Sequence, residues 1–203
     1  MAKSGEYWTE DHPGKAMMMD PSALTEQRRQ DRAVNEDAWI EDMLARTPVG
    51  TFSTSLEGQP FLHTVLFVYD RDRRAIYFHT ALTGRTRLNL EQNPRVCFGV
   101  SELGRLLPAA SACEMSVEFA SVIVFGRAEI IEDDTEALYG LQLLVNKYYP
   151  HLRAGRDYRP TAPVELRRAS VYRVHVEAWS GKRKLGAEDD PGAFTYPARG
   201  GKA

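Results

Sequence analysis

The chain has 203 residues, 43% of them hydrophobic and 27% charged, and a formal net charge of −2. That content can bury one sizeable core, and the intermixed signs leave no broad basic face for nucleic acid or an anionic membrane. Cys97 and Cys113 are the only cysteines, and no apolar run is long enough for a bilayer span or a signal peptide, so a reduced cytoplasmic protein is expected.

Residues 1–22 carry Gly, Pro, scattered charges and the triplet Met17-Met18-Met19 without a helical or strand period, which predicts a disordered leader before a domain at 23–184. The domain's first element is an amphipathic helix over Asn35–Arg46, with Asn35 as its cap, Trp39, Ile40, Met43 and Leu44 on one face, and Pro48 as its stop. Strands at Val49–Ser55 and Phe61–Tyr69 flank the hairpin signal Glu57-Gly58-Gln59. A second turn at Asp70–Arg74 leads into Ala75–Thr80, and connections this short predict three sequential antiparallel strands. His63 and Thr64 interrupt the apolar run FLHTVLFV, so each must find a partner or face a ligand.

Ala75–Val100 organises the rest as strand, polar turn, short helix and strand. Thr83-Gly84 opens the helix, which runs through Leu88 and Leu90 until Asn93-Pro94 stops it. Arg85 and Arg87 fall in its first turn, where the backbone N–H groups already make a positive end and further cations are unfavourable. An anion there reverses that cost, and helix-start amides, a Thr83 or Thr86 hydroxyl and a guanidinium fork suit a phosphate. The alternative is a solvated helix with incidental arginines.

Arg95–Val100 reads as a buried strand, Glu102–Glu114 as a loop, and Ser116–Ile131 as the longest strand, with Gly126 placed for a bend or bulge. Asp133 or Asp134 then caps a helix over Asp134–Tyr149, whose apolar stripe of Ala137, Leu138, Leu141, Leu144, Val145 and Tyr148 reads as core packing. His151–Arg168 is a proline-punctuated linker. The last strand, Ser170–Trp179, has Tyr172, Val174, Val176 and Ala178 on one face and Arg173, His175, Glu177 and Trp179 on the other. Residues 185–203, rich in Gly, Pro and charge, predict a disordered tail. No strand-linked GxGxxG turn, Walker loop or GxSxG elbow is present, and no HxH, HExxH or CxxC spacing supports a metal.

The segment YFHTALTGRTRLNLEQNPRVCFGV, with SVEFASVIVFGRAEIIED and VEAWSGKRK, resembles the flavin-binding split-barrel proteins related to pyridoxamine 5′-phosphate oxidase, in particular the branch containing 5-nitroimidazole reductases. The resemblance implies a six-stranded antiparallel split β-barrel with helices packed outside it, and a homodimer with FMN at the subunit interface. The strand His63, Thr64, Val65 and Leu66 would lie against the flavin ring, with Phe78, His79 and Thr80 beside it. Arg85 and Thr86 would hold the phosphate; many relatives carry a second basic residue where this chain has Thr86, and Arg87 is the candidate substitute. Ser121 and Trp179, with Lys182 or Arg183 close by, would reach the site from the second subunit.

For function, the resemblance implies an FMN-dependent oxidoreductase acting on a small organic substrate, nitroreductase-like rather than a true pyridoxamine-phosphate oxidase, with His79 touching substrate or flavin. The alternative is a non-catalytic flavin or haem binder.

Overall fold

The computed structural model describes residues 24–196, so the leader expected over residues 1–22, including the Met triplet, lies outside the described residues. The elements are β1 (Ala33–Val34), α1 (Asp37–Arg46), β2 (Val49–Leu56), β3 (Gln59–Leu66), β4 (Val68–Asp70), β5 (Ala75–Ala81), α2 (Arg85–Gln92), β6 (Arg95–Leu107), β7 (Ser116–Ile130), α3 (Asp134–Tyr148), β8 (Ala169–Lys184) and β9 (Phe194–Thr195). They build one nine-stranded sheet in the order β3-β2-β6-β7-β8-β5-β4, with β1 added on β8 and β9 on β6. Every ladder is antiparallel.

The expected strand Phe61–Tyr69 is two strands. Its first half pairs with β2 and its second with β5, so the three strands expected in sequence do not form one ladder. The switch falls at Phe67, whose ring is fully buried against Phe98 at 4.7 Å. A residue between two ladders has lost its backbone partners, and a buried unpaired amide or carbonyl costs about 1–3 kcal/mol. Tyr148 at the end of α3 supplies them: the Phe67 N–H donates to its hydroxyl at 2.9 Å, and the hydroxyl proton lies between the carbonyls of Phe67 (2.9 Å) and Pro48 (2.5 Å). Beside it, Lys147 donates to the Thr47 carbonyl at 2.8 Å and sits 3.9 Å from the centre of the Phe67 ring. With no carboxylate partner in that setting, burial pushes the Lys147 ammonium down to about 8.

The core fills the barrel with stacked and tilted aromatics: Phe78 lies 4.8 Å from Tyr172 and 4.6 Å from Phe52. On α1, Ile40, Met43 and Leu44 close one side, as their spacing predicts. The cap is Glu36, not Asn35, and no side-chain cap bond is made. On α3 the cap is Asp133, which accepts from the Glu136 N–H at 2.7 Å.

Three further differences have local causes. The first half of the expected Glu102–Glu114 loop is strand, because β6 runs to Leu107 and pairs with β7, held by Arg105 and Glu118 at 2.6 Å. At the far end β8 continues through the basic run to Lys184, paired with β7 and β1. Third, Phe125 faces Ala178 whereas Gly126 faces Val176, so Glu177 is an extra residue in β8. A Cβ on Gly126 would sit 2.0 Å from the His175 carbonyl oxygen, which is why glycine stands at this bulge. The extra residue reverses the alternation, and Trp179, expected on the face opposite Tyr172, is buried in the same core.

The segment after Lys184 also departs from the expected loose tail as far as it is described. Arg105 donates to the carbonyls of Ala187 (2.8 Å) and Glu188 (3.1 Å), and β9 pairs with β6. Among the described residues, no helix is long and apolar enough to cross a membrane.

Replacing Tyr148 with Phe is expected to cost about 1–3 kcal/mol, because it removes one hydroxyl and orphans the Phe67 amide and carbonyl. The midpoint of urea unfolding measures it; an unchanged midpoint would remove the proposed role of that hydroxyl.

Candidate functional site

A cleft of about 500 Å³ opens where β3, the end of β5 and the start of α2 meet. Its wall contains His63, Thr64, Val65, Leu66, His79, Thr80, Arg85 and Thr86 from the expected set and Thr83, named as a possible phosphate hydroxyl, with Phe61, Ala81 and Gly84 in addition. Among the described residues β3 is laddered on β2 alone, which leaves alternate backbone N–H and C=O groups of its other edge to meet a ligand.

The helix start is built by Gly84, whose φ of 148° and ψ of 173° suit glycine and almost nothing else. A Cβ there would meet no atom within 4 Å, so the requirement comes from the backbone and the space in front is open. Neither Thr83 nor any other side chain caps α2, which leaves first-turn amides for the cleft. Inside the fold, Asn89 donates to Thr54 at 2.8 Å, both side chains buried, and ties α2 to β2.

The two arginines of the first turn have separate fates. Arg85 is exposed in the cleft wall, its guanidinium 5.8 Å from the Phe61 ring centre, and among the described residues it has no ion pair. Arg87 faces away, bonded to Glu91 at 2.8 Å and to the Ser170 hydroxyl at 2.9 Å, and lines a second cleft of about 480 Å³ beside Leu82, Ser170 and α3. It is therefore not placed to substitute for a second phosphate cation. Thr86 is buried, with its hydroxyl 3.0 Å from His63 Nδ1. No carboxylate lines the cleft among the described residues.

Of the remaining expected residues, Phe78 is wholly in the core and does not line the cleft. Trp179 is also in the core, donating from its indole to Asp37 at 2.8 Å with the Arg74 guanidinium 3.9 Å from its ring centre. Ser121 and Lys182 are cross-strand partners that share a shallow cleft with Ile123 and Ser180. Arg183 is elsewhere, 5.6 Å from the Trp39 ring and beside Leu103 and Phe119. The residues expected from the second subunit thus lie on three different surroundings of one protomer.

His79 stands at the cleft and is exposed, and the protein wall around it still lowers its pKa by desolvation. Desolvation thus favours the neutral ring at this position. Sequence reasoning missed Phe61 and Gly84 as parts of the wall; the signal for the first was its i, i+2 relation to His63 on one strand.

These features define an antiparallel split barrel with an electropositive cleft at a helix start. The family model described as pyridoxamine 5′-phosphate oxidase matches residues 36–183, and the chain belongs to that family of flavin-binding split barrels. A search of the curated proteins gave no match. Among solved structures, the flavocytochrome Anf3 from Azotobacter vinelandii is 25% identical, with a TM-score of 0.73 over 90% of this chain and 89% of that one. A protein described as a candidate 5-nitroimidazole antibiotic resistance protein from Bacteroides thetaiotaomicron is 24% identical, with a TM-score of 0.62 over 74% of this chain and 86% of its own. The FAD and heme binding protein from Mycobacterium smegmatis is 22% identical, with a TM-score of 0.67 over 76% and 74% of the two chains.

The NMR titration of His79 is expected to show a midpoint below that of a solvated histidine, with the ring neutral at pH 7. A midpoint at or above about 6.5 would mean that the wall does not desolvate it.

Proposed function

We propose that this protein binds FMN in the cleft and works as an oxidoreductase on a small organic substrate. The observation that carries this reading is Arg85, which has no ion pair among the described residues and lines the cleft at the uncapped start of α2, in one wall with β3. The flavin, when bound, supplies hydride or electron transfer. The chain supplies the rest. Backbone groups of His63, Thr64, Val65 and Leu66 meet the ring, Arg85, Thr86 and the α2 amides take the phosphate, and His79 holds a neutral imidazole at the substrate side.

A homodimer belongs to the same proposal. Leu62 and Leu66 on β3 are 66% and 53% exposed, and Ile123 beside Ser121 and Lys182 is 37% exposed, which is apolar area that a second copy would cover. Ser121 and Lys182 then approach the partner's cleft. With Arg87 paired to Glu91, the cleft has one guanidinium for one phosphate. That favours an unphosphorylated substrate over pyridoxamine phosphate.

A second reading, a flavin or haem carrier without turnover, is favoured by the flavocytochrome and the haem-binding protein among the similar structures. Haem titration followed at the Soret band separates it from the first: a saturable haem complex without any reductase activity would favour the carrier.

Replacing Arg85 with Ala should weaken FMN about ten- to a hundredfold, the worth of one charge-assisted hydrogen bond of roughly 1.5–3 kcal/mol, and leave riboflavin affinity unchanged. Fluorescence quenching reads both. Since Arg85 is exposed and without an ion pair among the described residues, the fold should not suffer. Equal FMN affinities would move the phosphate away from α2, and no flavin binding by the wild type would remove the flavin reading.

A further inference from the structure

We propose that the His63 side chain, acting through the Thr86 hydroxyl, is the second arm of the phosphate site and sets the preference for a phosphorylated flavin over riboflavin. The inference rests on the reading of the cleft as a flavin site. It assigns a role to the His63 ring, distinct from that of its backbone.

The starting point is a count of protons. Thr86 Oγ1 carries one proton and lies 3.0 Å from His63 Nδ1, in a buried position at the second residue of α2. If Nδ1 is bare, the hydroxyl donates to it and turns only lone pairs toward the cleft, which repels an anion. If Nδ1 carries hydrogen, it donates to the hydroxyl oxygen, and the hydroxyl proton is released toward the phosphate. A phosphate in the cleft therefore selects the Nδ1–H ring, either as that neutral tautomer or as the imidazolium.

The surroundings favour such a selection. Arg85 and His79 are the other ionisable side chains of the cleft wall, and no carboxylate stands among the described residues of that wall to compete for the His63 proton. Arg87, the remaining cation of the helix start, is held by Glu91 and Ser170. The His63 ring also packs 6.5 Å from Phe61, the ring over which Arg85 lies, so one aromatic side chain sets both arms.

The test is a set of flavin titrations on the full chain, with FMN, FAD and riboflavin, for the wild type and for His63→Phe, His63→Asn, Thr86→Val and Arg85→Ala. His63→Phe and Thr86→Val are expected to weaken FMN, FAD or both about ten- to a hundredfold, while riboflavin, which serves as the folding control, binds as in the wild type. His63→Asn, whose amide N–H takes the place of Nδ1–H, should restore most of the loss. Ring ¹⁵N NMR should show Nδ1 becoming protonated on addition of a phosphorylated flavin and not on addition of riboflavin. A loss confined to FMN assigns the site to a monoester, and a loss with FAD as well assigns it to either phosphate ester; both support the inference.

If His63→Phe binds FMN and FAD as tightly as the wild type while Arg85→Ala does not, the inference fails and the phosphate stays at α2. The same failure follows if riboflavin weakens in step with the nucleotides, or if Nδ1 is unprotonated in the FMN complex. If Arg85→Ala also matches the wild type, or the wild type binds no flavin, the reading of the cleft falls and takes this inference with it.

Discussion

Closing an antiparallel sheet into a barrel requires one stretch of chain to leave one neighbour and join another, and at that step a backbone amide and carbonyl lose their partners. In this protein the step is Phe67, between the β2-paired and the β5-paired halves of one apolar run. Its groups are met by the Tyr148 hydroxyl from the end of α3, a helix 81 residues further along the chain. The barrel and its outer helix are therefore a single construction: without the helix end, the closure would leave polar backbone buried against Phe98.

The same closure makes the cleft. Because β3 stops at Leu66 and hands over to β4, its outer edge never acquires a second ladder, and the free edge lies opposite the end of β5 and the start of α2. Two contacts fix that helix: the buried bond from Asn89 to Thr54 on β2 and the half-buried one between Thr86 and His63 on β3. Charge is then distributed by direction along the helix. Arg87 finds a carboxylate one turn later, where an i, i+4 pair is favourable, and Arg85 is left as the cation that the helix start disfavours.

Much of this was legible in the sequence because it rests on local patterns. The hairpin at Glu57-Gly58, the helix faces of Ile40, Met43 and Leu44, the Gly126 bulge and the cleft residues His63 to Leu66, His79, Thr80, Arg85 and Thr86 follow from periodicity, turn chemistry and the resemblance. What was not legible depends on contacts distant in the chain. FLHTVLFVY contains no glycine, proline or polar pair at Phe67, and its break is dictated by β5 and Tyr148. Pro108 and the small residues after it mask a strand over Glu102–Leu107 that exists because Arg105 meets Glu118 and the chain beyond Lys184. The position of Trp179 needed the parity count across a bulge, and the diversion of Arg87 needed Ser170 from a strand 83 residues away.

The bulge at Glu177 also divides β8 into two working lengths. Up to Val176 its inward residues Tyr172 and Val174 belong to the barrel interior with β5, whereas beyond it Trp179 and Gly181 face α1 and β1. A one-residue deletion there would remove the bulge and keep the faces: Val176 would still stand opposite Gly126, Ala178 opposite Phe125 and Trp179 opposite Val124, with the indole still inward. In evolutionary terms the extra residue is an insertion that the sheet has absorbed: length can change at this one position without moving a partner, whereas a residue gained or lost within either paired length would shift the register beyond it.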